Sequence, residues 1–474
     1  MTLAPNGLGS FETFRDPAGV LIISDEHAVR YVRPEYASEV LQFLYSPLYS
    51  TWQKRGDIVA TEIVASSLPN SEACLKHPRL FFATYPWEWS PAQWLAAAEL
   101  TLTLCNEALA KGYVLKDATP LNILFDGPRP VFVDVVSFVR SNPSSPVWLA
   151  YGQFIRTFLL PLVAHHWLGW PLGATLLKRD GYKPEDIYLA LPKLRRYHPR
   201  LLWPVTLPTL LEKRASGSSR HAAEDLVGKA EAINCKPEVA LQVLRRSLAT
   251  LRRQIRYVAP PLSDSQWSSY QATLGHYTSV DVEEKQRFVQ NVLDLYRPTN
   301  VLDVGANTGT YSLLAASTGA RVVSLDTDPA AIERLWRAAS ERAQNVLPLV
   351  ANIARPTPSV GWENCESLSL LDRATGRFDM VMMLAVIHHL LLTEQVPLDR
   401  IASLCFRLTR RWILVEWVPP SDPMFRKLLC GREDLYGALD ENDFGQAFHP
   451  YFKTLEHCHL SNGRKLFLMK RGES

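Results

Sequence analysis

The sequence predicts an α/β protein of two domains, an α+β domain followed by one built on a mostly parallel sheet. Three observations carry that expectation. The chain has 474 residues, too many for one ordinary hydrophobic core. From Val301 onward, apolar runs of strand composition alternate with helical ones, the pattern of parallel βαβ units. Between Glu212 and Glu238 the stretch EKRASGSSRHAAEDLVGKAEAINCKPE is small, polar and charged, and marks a boundary. The expected domains are residues 1–211 and 263–474, with a linker and helix at 212–262 between them.

Composition narrows the class. Apolar residues make up 47% and charged ones 21%, the balance of a globular chain rather than a disordered one. A formal net charge of +3 does not by itself point to nucleic acid or a membrane surface. Cys74, Cys105, Cys235, Cys365, Cys405, Cys430 and Cys458 are scattered, odd in number and free of any CxxC pair. Neither a disulfide framework nor a metal site is expected, and a reducing cytoplasm is the expected location. The opening residues, MTLAPNGLGSFETF, lack the basic start and apolar core of a signal peptide.

Taken in order, VLIISDEHAVRYVRP, from about residue 20 to 34, predicts two short strands around a polar turn. From Pro91 to Ala110, Trp94, Leu95, Ala98, Leu102 and Leu109 recur at helical spacing, and Ser90 can cap the start. FLLPLVAHHWLGWPLGATLL, Phe158–Leu177, has the length of a membrane span. His165 and His166 at its middle and Pro161 and Pro171 argue instead for a buried helical hairpin. After the linker, Leu241, Leu244, Leu248, Leu251 and Ile255 form one stripe. Lys236, Arg245, Arg246, Arg252, Arg253 and Arg256 accompany it against one acid, Glu238. A basic helix over 238–257 can track phosphates, which keeps an RNA acceptor open. The same charges are also the ordinary solvated complement of a buried stripe.

The unit VLDVGANTGTYSLLAASTGARVVSLDTDP, Val301–Pro329, is a strand, a glycine turn, a helix and a second strand ending in acid. Gly305 and Gly309 let the backbone turn sharply and approach a ligand, and the helix after them presents unbonded N–H groups. Asp326, closing the second strand, suits a ribose diol. The spacing D-x-G-x-x-x-G differs from the G-x-G-x-x-G of dinucleotide sites, where Asp303 would repel a pyrophosphate. A cationic ligand carrying a ribose fits better.

On these residues the C-terminal part resembles class I S-adenosylmethionine-dependent methyltransferases. PLVAN (Pro348–Asn352) is similar to their third strand, FDMVMMLAVIHHL (Phe378–Leu390) to the fourth, and RWILVEWVPPSDPMF (Arg411–Phe425) to the fifth. The resemblance implies a Rossmann-like, mostly parallel seven-stranded sheet, with S-adenosylmethionine as cofactor and S-adenosylhomocysteine as product. It places cofactor binding at Asp303, Gly305, Asn307, Gly309, Asp326, Thr327, Asn352 and Ile353. Asn352 departs from the Asp common at that strand end. Tyr270, His276 and Tyr277, in WSSYQATLGHYT, are expected as a lid, with Tyr277 at the cofactor. More narrowly, the whole chain resembles a bacterial group of methyltransferases that includes nodulation host-specificity proteins. YPWEWSPAQW, LKDATPLNILF, RPVFVDVVSF, GHYT and VIHHL…VPLDRI fall in the same order.

If the methyl acceptor is a hydroxyl, a base is useful. His388 and His389, after the fourth strand, are the candidates, although either can pack or cap the next helix instead. Glu416, closing the fifth strand, can orient a histidine or an acceptor amine, or pair with Arg410 or Arg411. Such a rim suits a small polar or glycan acceptor, methylated on oxygen, and the aromatic run YPWEWSPAQW is expected to face it. Nothing in the sequence indicates an oligomeric state.

LKDATPLNILFDGPRPVFVDVVSF, Leu115–Phe138, places Asp117 and Asn122 at D-x-x-x-x-N spacing, with Asp134 on a second strand. That resembles the catalytic loop and hairpin of protein kinases and aminoglycoside phosphotransferases, where the first Asp accepts a proton while the Asn and second Asp hold magnesium. Leu115-Lys116 and Val135-Val136 depart from that pattern, and no glycine-rich loop precedes it. Arg30 or Arg33 stands where a lysine is expected, and arginine does not substitute simply for an ammonium. The resemblance implies a kinase-like first domain that has lost phosphoryl transfer, with an active kinase as the alternative.

Overall fold

The computed structural model describes residues 11–12, 15–24, 26–65, 72–215, 235–258, 279–429, 431 and 436–473. The chain divides into two units, Met1–Phe125 with Pro130–Pro261, and Asp126–Arg129 with Leu262–Ser474.

In the first unit, β1 (Phe11–Glu12), β2 (Gly19–Ile23), β3 (His27–Val32), β4 (Glu62–Val64) and β5 (Ala73–Pro78) form an antiparallel sheet in the order β1-β2-β3-β5-β4. The two strands expected around SDEH are β2 and β3, and Ser24 N donates to His27 O across the turn at 2.9 Å. Farther on, β6 (Tyr113–Leu115) pairs with β9 (Phe138–Arg140), and β7 (Ile123–Asp126) with β8 (Arg129–Phe132). The other described elements of the unit are helices.

Ser90 and Gln93 close a capping box on the helix Pro91–Leu109: Ser90 Oγ accepts from Gln93 N at 3.4 Å, and Gln93 Oε1 accepts from Ser90 N at 3.0 Å. The aromatic run YPWEWSPAQW leads into this helix and is mostly interior. Trp87, Trp89 and Trp94 are buried, Trp89 against Phe125 and Trp94, because indoles of this size contribute most as core. In the Phe158–Leu177 stretch Pro161 sits in the first turn of the helix Leu160–Leu168, where a missing N–H is harmless. Gly169, at φ +70°, ends that helix. No helix among the described residues is long and apolar enough to cross a membrane.

The helix Pro237–Val258 buries Leu244, Leu248, Leu251 and Ile255, and it docks within the first unit. Arg252 Nε lies 2.8 Å from Glu99 Oε2, Arg256 bonds the same carboxylate, and Arg252 Nη2 donates to Thr103 Oγ1 at 2.8 Å. Two of the cations expected to follow phosphates are thus spent on the helix Pro91–Leu109. Most of the linker, 216–234, lies outside the described residues.

The second unit holds β10 (Asn300–Val304), β11 (Arg321–Asp326), β12 (Val346–Val350), β13 (Phe378–Met383), β14 (Thr409–Trp417), β15 (Phe452–His459) and β16 (Lys465–Arg471) in the order β12-β11-β10-β13-β14-β16-β15. The first five strands in that order run parallel, and β16 is antiparallel to both neighbours. All five residues of β10 are buried, as a strand covered on both faces requires. Strand order reverses at β10, between β11 and β13, and ligands of such sheets bind beyond the strand ends at that switch point.

Candidate functional site

A cavity of about 850 Å³ opens at this switch point, toward the upper end of the roughly 300–1,000 Å³ typical of small-molecule sites. Its wall carries Asp303, Gly305, Asn307, Asp326, Thr327, Asn352, Ile353, His388 and His389. Gly309 lies just behind the wall and starts the helix Thr310–Ser317. Tyr277, with Tyr270 and His276, lies outside the described residues.

The turn after β10 is fixed by its glycines. Gly305 has φ +73° and Gly309 φ +85°; a Cβ at Gly305 would stand 2.3 Å from Val386 Cγ2, and one at Gly309 2.0 Å from Leu335 Cδ1. Between them Asn307 adopts φ +50°, a left-handed conformation that Asn tolerates better than most residues. Its N–H donates to Asp326 Oδ2 at 2.8 Å, and Asp328 N donates to Asp326 Oδ1 at 2.9 Å. A carboxylate offers about four lone-pair sites, so Asp326 is anchored and still keeps acceptor capacity at the cavity wall. Asn352 Oδ1 accepts from Ala354 N at 2.8 Å and Arg355 N at 3.3 Å, which turns its amide nitrogen toward Glu394 Oε1, 3.5 Å away. Arg355 pairs with Glu394 at 2.8 Å.

Asp303 is 3% exposed and accepts from Ser312 Oγ at 2.6 Å; Ser324 Oγ donates to Ser312 in turn at 2.8 Å. Burial pushes its carboxyl up to about 7 from an ordinary 3.8, with the nearby Asp326 charge adding to the rise and Ser312 and Lys285 opposing it. An anchored acid at each of two strand ends, a ribose-compatible carboxylate and a cavity wall of this size fit S-adenosylmethionine. Asp326 would hold the ribose, Asn352 and Ile353 the base, and Asp303 the cationic end.

A pH dependence follows. A cation beside Asp303 favours its ionised form, so binding lowers this pKa and releases a proton. Cofactor affinity is expected to rise with pH up to about 7 and to level off above it. The same raised pKa adds stability to the empty unit that is full below about 3.8 and lost as pH climbs through about 7. Calorimetry in buffers of different ionisation heat measures both the affinity and the proton count. Equal affinity at about pH 6 and about pH 8, with no proton released, would remove Asp303 from the cationic subsite.

The two histidines lie one turn beyond β13, in the helix Ile387–Leu392, with ring centroids 4.3 Å apart. His388 is 3% exposed, and among the described residues neither ring nitrogen has a hydrogen-bond partner. Burial holds it well below its ordinary 6.5, and His389, Arg464 and Lys285 push the same way against Glu416. His389 is more exposed, and burial lowers it too. Before this helix Ala385 sits at φ +59° on the cavity wall, a conformation costing a non-glycine residue about 1–3 kcal/mol and concentrated at functional sites.

Glu416 is not at the rim. It is fully buried and accepts from Lys285 Nζ at 2.5 Å, with Arg464 Nη1 3.4 Å away. Arg464 Nε also lies 2.8 Å from Asp422 Oδ2. Neither neighbouring arginine is the partner: Arg410 bonds Gly376 O, and Arg411 lies over the Trp412 ring. Lys285, in the helix Ser279–Tyr296, does reach the cavity wall, and it was missed. Its partner is 131 residues away, and helical spacing alone cannot show that.

In the first unit, Asn122 Nδ2 donates to Asp117 O at 3.2 Å and Gln153 Nε2 to Asp117 Oδ1 at 3.0 Å. Asp134 is engaged elsewhere: its carboxylate accepts from Ser137 Oγ and pairs with Arg30 Nη2 at 2.9 Å, and Arg30 also bonds Asp16. Among the described residues no cluster of three or more His, Cys, Asp or Glu side chains is arranged to hold a metal.

Comparison with known proteins agrees with the geometry. The family described as "Methyltransferase domain" matches residues 302–411, from β10 to β14. Nodulation protein NoeA of Rhizobium meliloti (strain 1021) is 28% identical over 409 residues, covering 84% of this chain and 82% of that protein. Among solved structures, N-methyltransferase NodS of Bradyrhizobium japonicum WM9 is 14% identical with a TM-score of 0.31, covering 41% of this chain and 98% of NodS. The bifunctional kinase-methyltransferase WbdD is 20% identical with a TM-score of 0.29, covering 41% of this chain and 40% of WbdD. Overlaps this loose carry no argument, and the fold assignment rests on sheet order and the glycine turn. With its switch-point cavity, its anchored Asp326 and the matched domain, the chain is a class I S-adenosylmethionine-dependent methyltransferase that resembles the nodulation-type enzymes.

Proposed function

We propose that the second unit methylates an oxygen of a small polar or carbohydrate-like acceptor. When bound, S-adenosylmethionine supplies a methyl group activated on a positive sulfur and leaves as S-adenosylhomocysteine. The observation that supports an uncharged, proton-bearing acceptor is His388, a buried neutral imidazole on the cavity wall with both nitrogens unpartnered among the described residues. A hydroxyl can donate to one of these nitrogens, which orients an oxygen lone pair toward the methyl and gives its proton an exit. Lys285 does not turn the site into an anion receptor, because Glu416 already neutralises it. For the first unit we infer a kinase-like lobe without phosphoryl transfer, supported by the Arg30 guanidinium held on the carboxylate of Asp134. The proposed setting is the cytoplasm, in keeping with six described cysteines that form no disulfide.

The test is incubation of the full chain with methyl-labelled cofactor and fractionated lysate, with Asp326→Ala as control. Label in a glycan or small-molecule fraction, stable to base as an ether is and absent with the control, supports the reading. Label in RNA, or on amine nitrogen, overturns it.

A further inference from the structure

The described chain exposes seventeen large hydrophobic side chains, and eight of them fall between Leu177 and Leu211, in the first unit. The elements that carry them pack on one another. Arg196 lies over the Tyr188 ring at 4.6 Å and donates from Nη2 to Leu189 O at 3.2 Å, and Lys213 lies over the same ring at 5.4 Å. The exposed apolar side chains from Leu189 to Leu211 are therefore carried by elements packed on one another, and a concentration of this kind marks an interaction site.

Two features describe what it fits. Leu194 is 91% exposed and stands between Lys193 and Arg195, both exposed. Trp203, 55% exposed, heads a stripe with Leu207 and Leu211 along the helical segment from Pro199 to Ala215, and its indole N–H donates to Tyr151 Oη at 3.0 Å. From Leu177 to Arg214 there are nine Lys or Arg against four Asp or Glu, a net +5 in a chain whose total is +3. The rest of the protein is thus net negative, and positive charge is concentrated where the apolar side chains emerge.

We propose that this surface docks on an anionic lipid bilayer. A leucine tip between two cations, and a tryptophan of the same unit fixed by its N–H, place apolar atoms at the acyl boundary and charge among the headgroups. A leucine as exposed as Leu194, projecting between two cations, gains most from a fluid apolar phase that closes around it. No helix of the described residues spans a membrane, so the mode is peripheral. The inference is independent of the methyl-transfer site, since none of these residues lines that cavity.

The test is co-sedimentation of the full chain with vesicles of phosphatidylcholine alone, or with about one third phosphatidylglycerol. Wild type is expected to bind the second and not the first, and to be released by high salt. Each cation near such a surface strengthens binding about fivefold. The variant Lys193→Glu with Arg195→Glu is therefore expected to bind at least about 25-fold more weakly, and Leu194→Ser is expected to weaken binding at unchanged salt dependence. Both variants should keep wild-type cofactor affinity, which reports an intact second unit, and wild-type circular dichroism, which reports the first. Equal partitioning of wild type and the charge-reversed variant, binding to neutral vesicles alone, or retention on an acidic protein or RNA without any vesicle binding would each overturn the proposal.

Discussion

Replacing Glu416 by alanine is expected to destabilise the second unit by about 3–5 kcal/mol. The carboxylate is fully buried, Lys285 is 6% exposed and Arg464 1%. With Glu416 gone, Lys285 loses the anion 2.5 Å from its ammonium, and Arg464 keeps Asp422. Removing one member of a buried ion pair, rather than the loss of one exposed contact, sets the size of the effect. For a unit of about 200 residues this corresponds to a fall of about 6–20 °C in the midpoint of its unfolding transition. The double variant Glu416→Leu with Lys285→Met removes both charges and is expected to recover much of the loss, because a matched apolar pair often stands in for a buried ion pair without penalty. Scanning calorimetry of the full chain, following the transition that shifts when cofactor is added, measures both. A single variant within about 1 kcal/mol of wild type, or a double variant no better than the single, would show that the cluster is not a closed ion network.

The same cluster marks the limit of what could be read from the sequence. The glycine turn was legible because D-x-G-x-x-x-G and a strand-end acid are local, and both glycines have the positive φ their spacing implies. The parallel βαβ units were legible from alternating strand and helix patterns, and the Ser90 cap from its place before the helix. Glu416 was misplaced because a strand-end acid is equally consistent with a rim and with an interior ion pair. Its partners come from a helix before the sheet and from Arg464, just ahead of β16. The burial of Trp87, Trp89 and Trp94 was not legible for a related reason: the packing of Trp89 on Phe125 joins residues far apart in sequence. Lys285 and Ala385 gave no local signal. One is defined by a contact 131 residues distant, the other by a backbone angle.

Lys285 ties this scaffold to the site. It lies on the cavity wall, opposes the rise of the Asp303 carboxyl and helps to keep His388 neutral. Glu416, although it touches no ligand position, therefore acts as a positioning residue, and its loss should shift the pH profile of cofactor binding as well as stability.

Replacing His388 by glutamine is expected to lower kcat by about 10²-fold or more, the scale of a positioned proton acceptor, with cofactor affinity unchanged. Both residues of the His388–His389 pair suited this role in sequence, and the two differ in their surroundings. His388 is almost wholly buried on the cavity wall and neither of its nitrogens has a partner among the described residues, whereas His389 is more exposed. His389→Gln is accordingly expected to lose less than about fivefold. The pH profile separates proton acceptance from packing. Since burial keeps His388 well below 6.5, it is already neutral at pH 7, and the acid limb of kcat/KM should lie near 7, where Asp303 titrates. That limb should survive in His388→Gln while the plateau drops, because the limb belongs to cofactor binding and the plateau to proton transfer. An asparagine at the same site, smaller but still polar, should behave like glutamine if proton acceptance is what was lost. If both variants keep at least half of wild-type kcat, His388 only packs, and the acceptor proton leaves by another route.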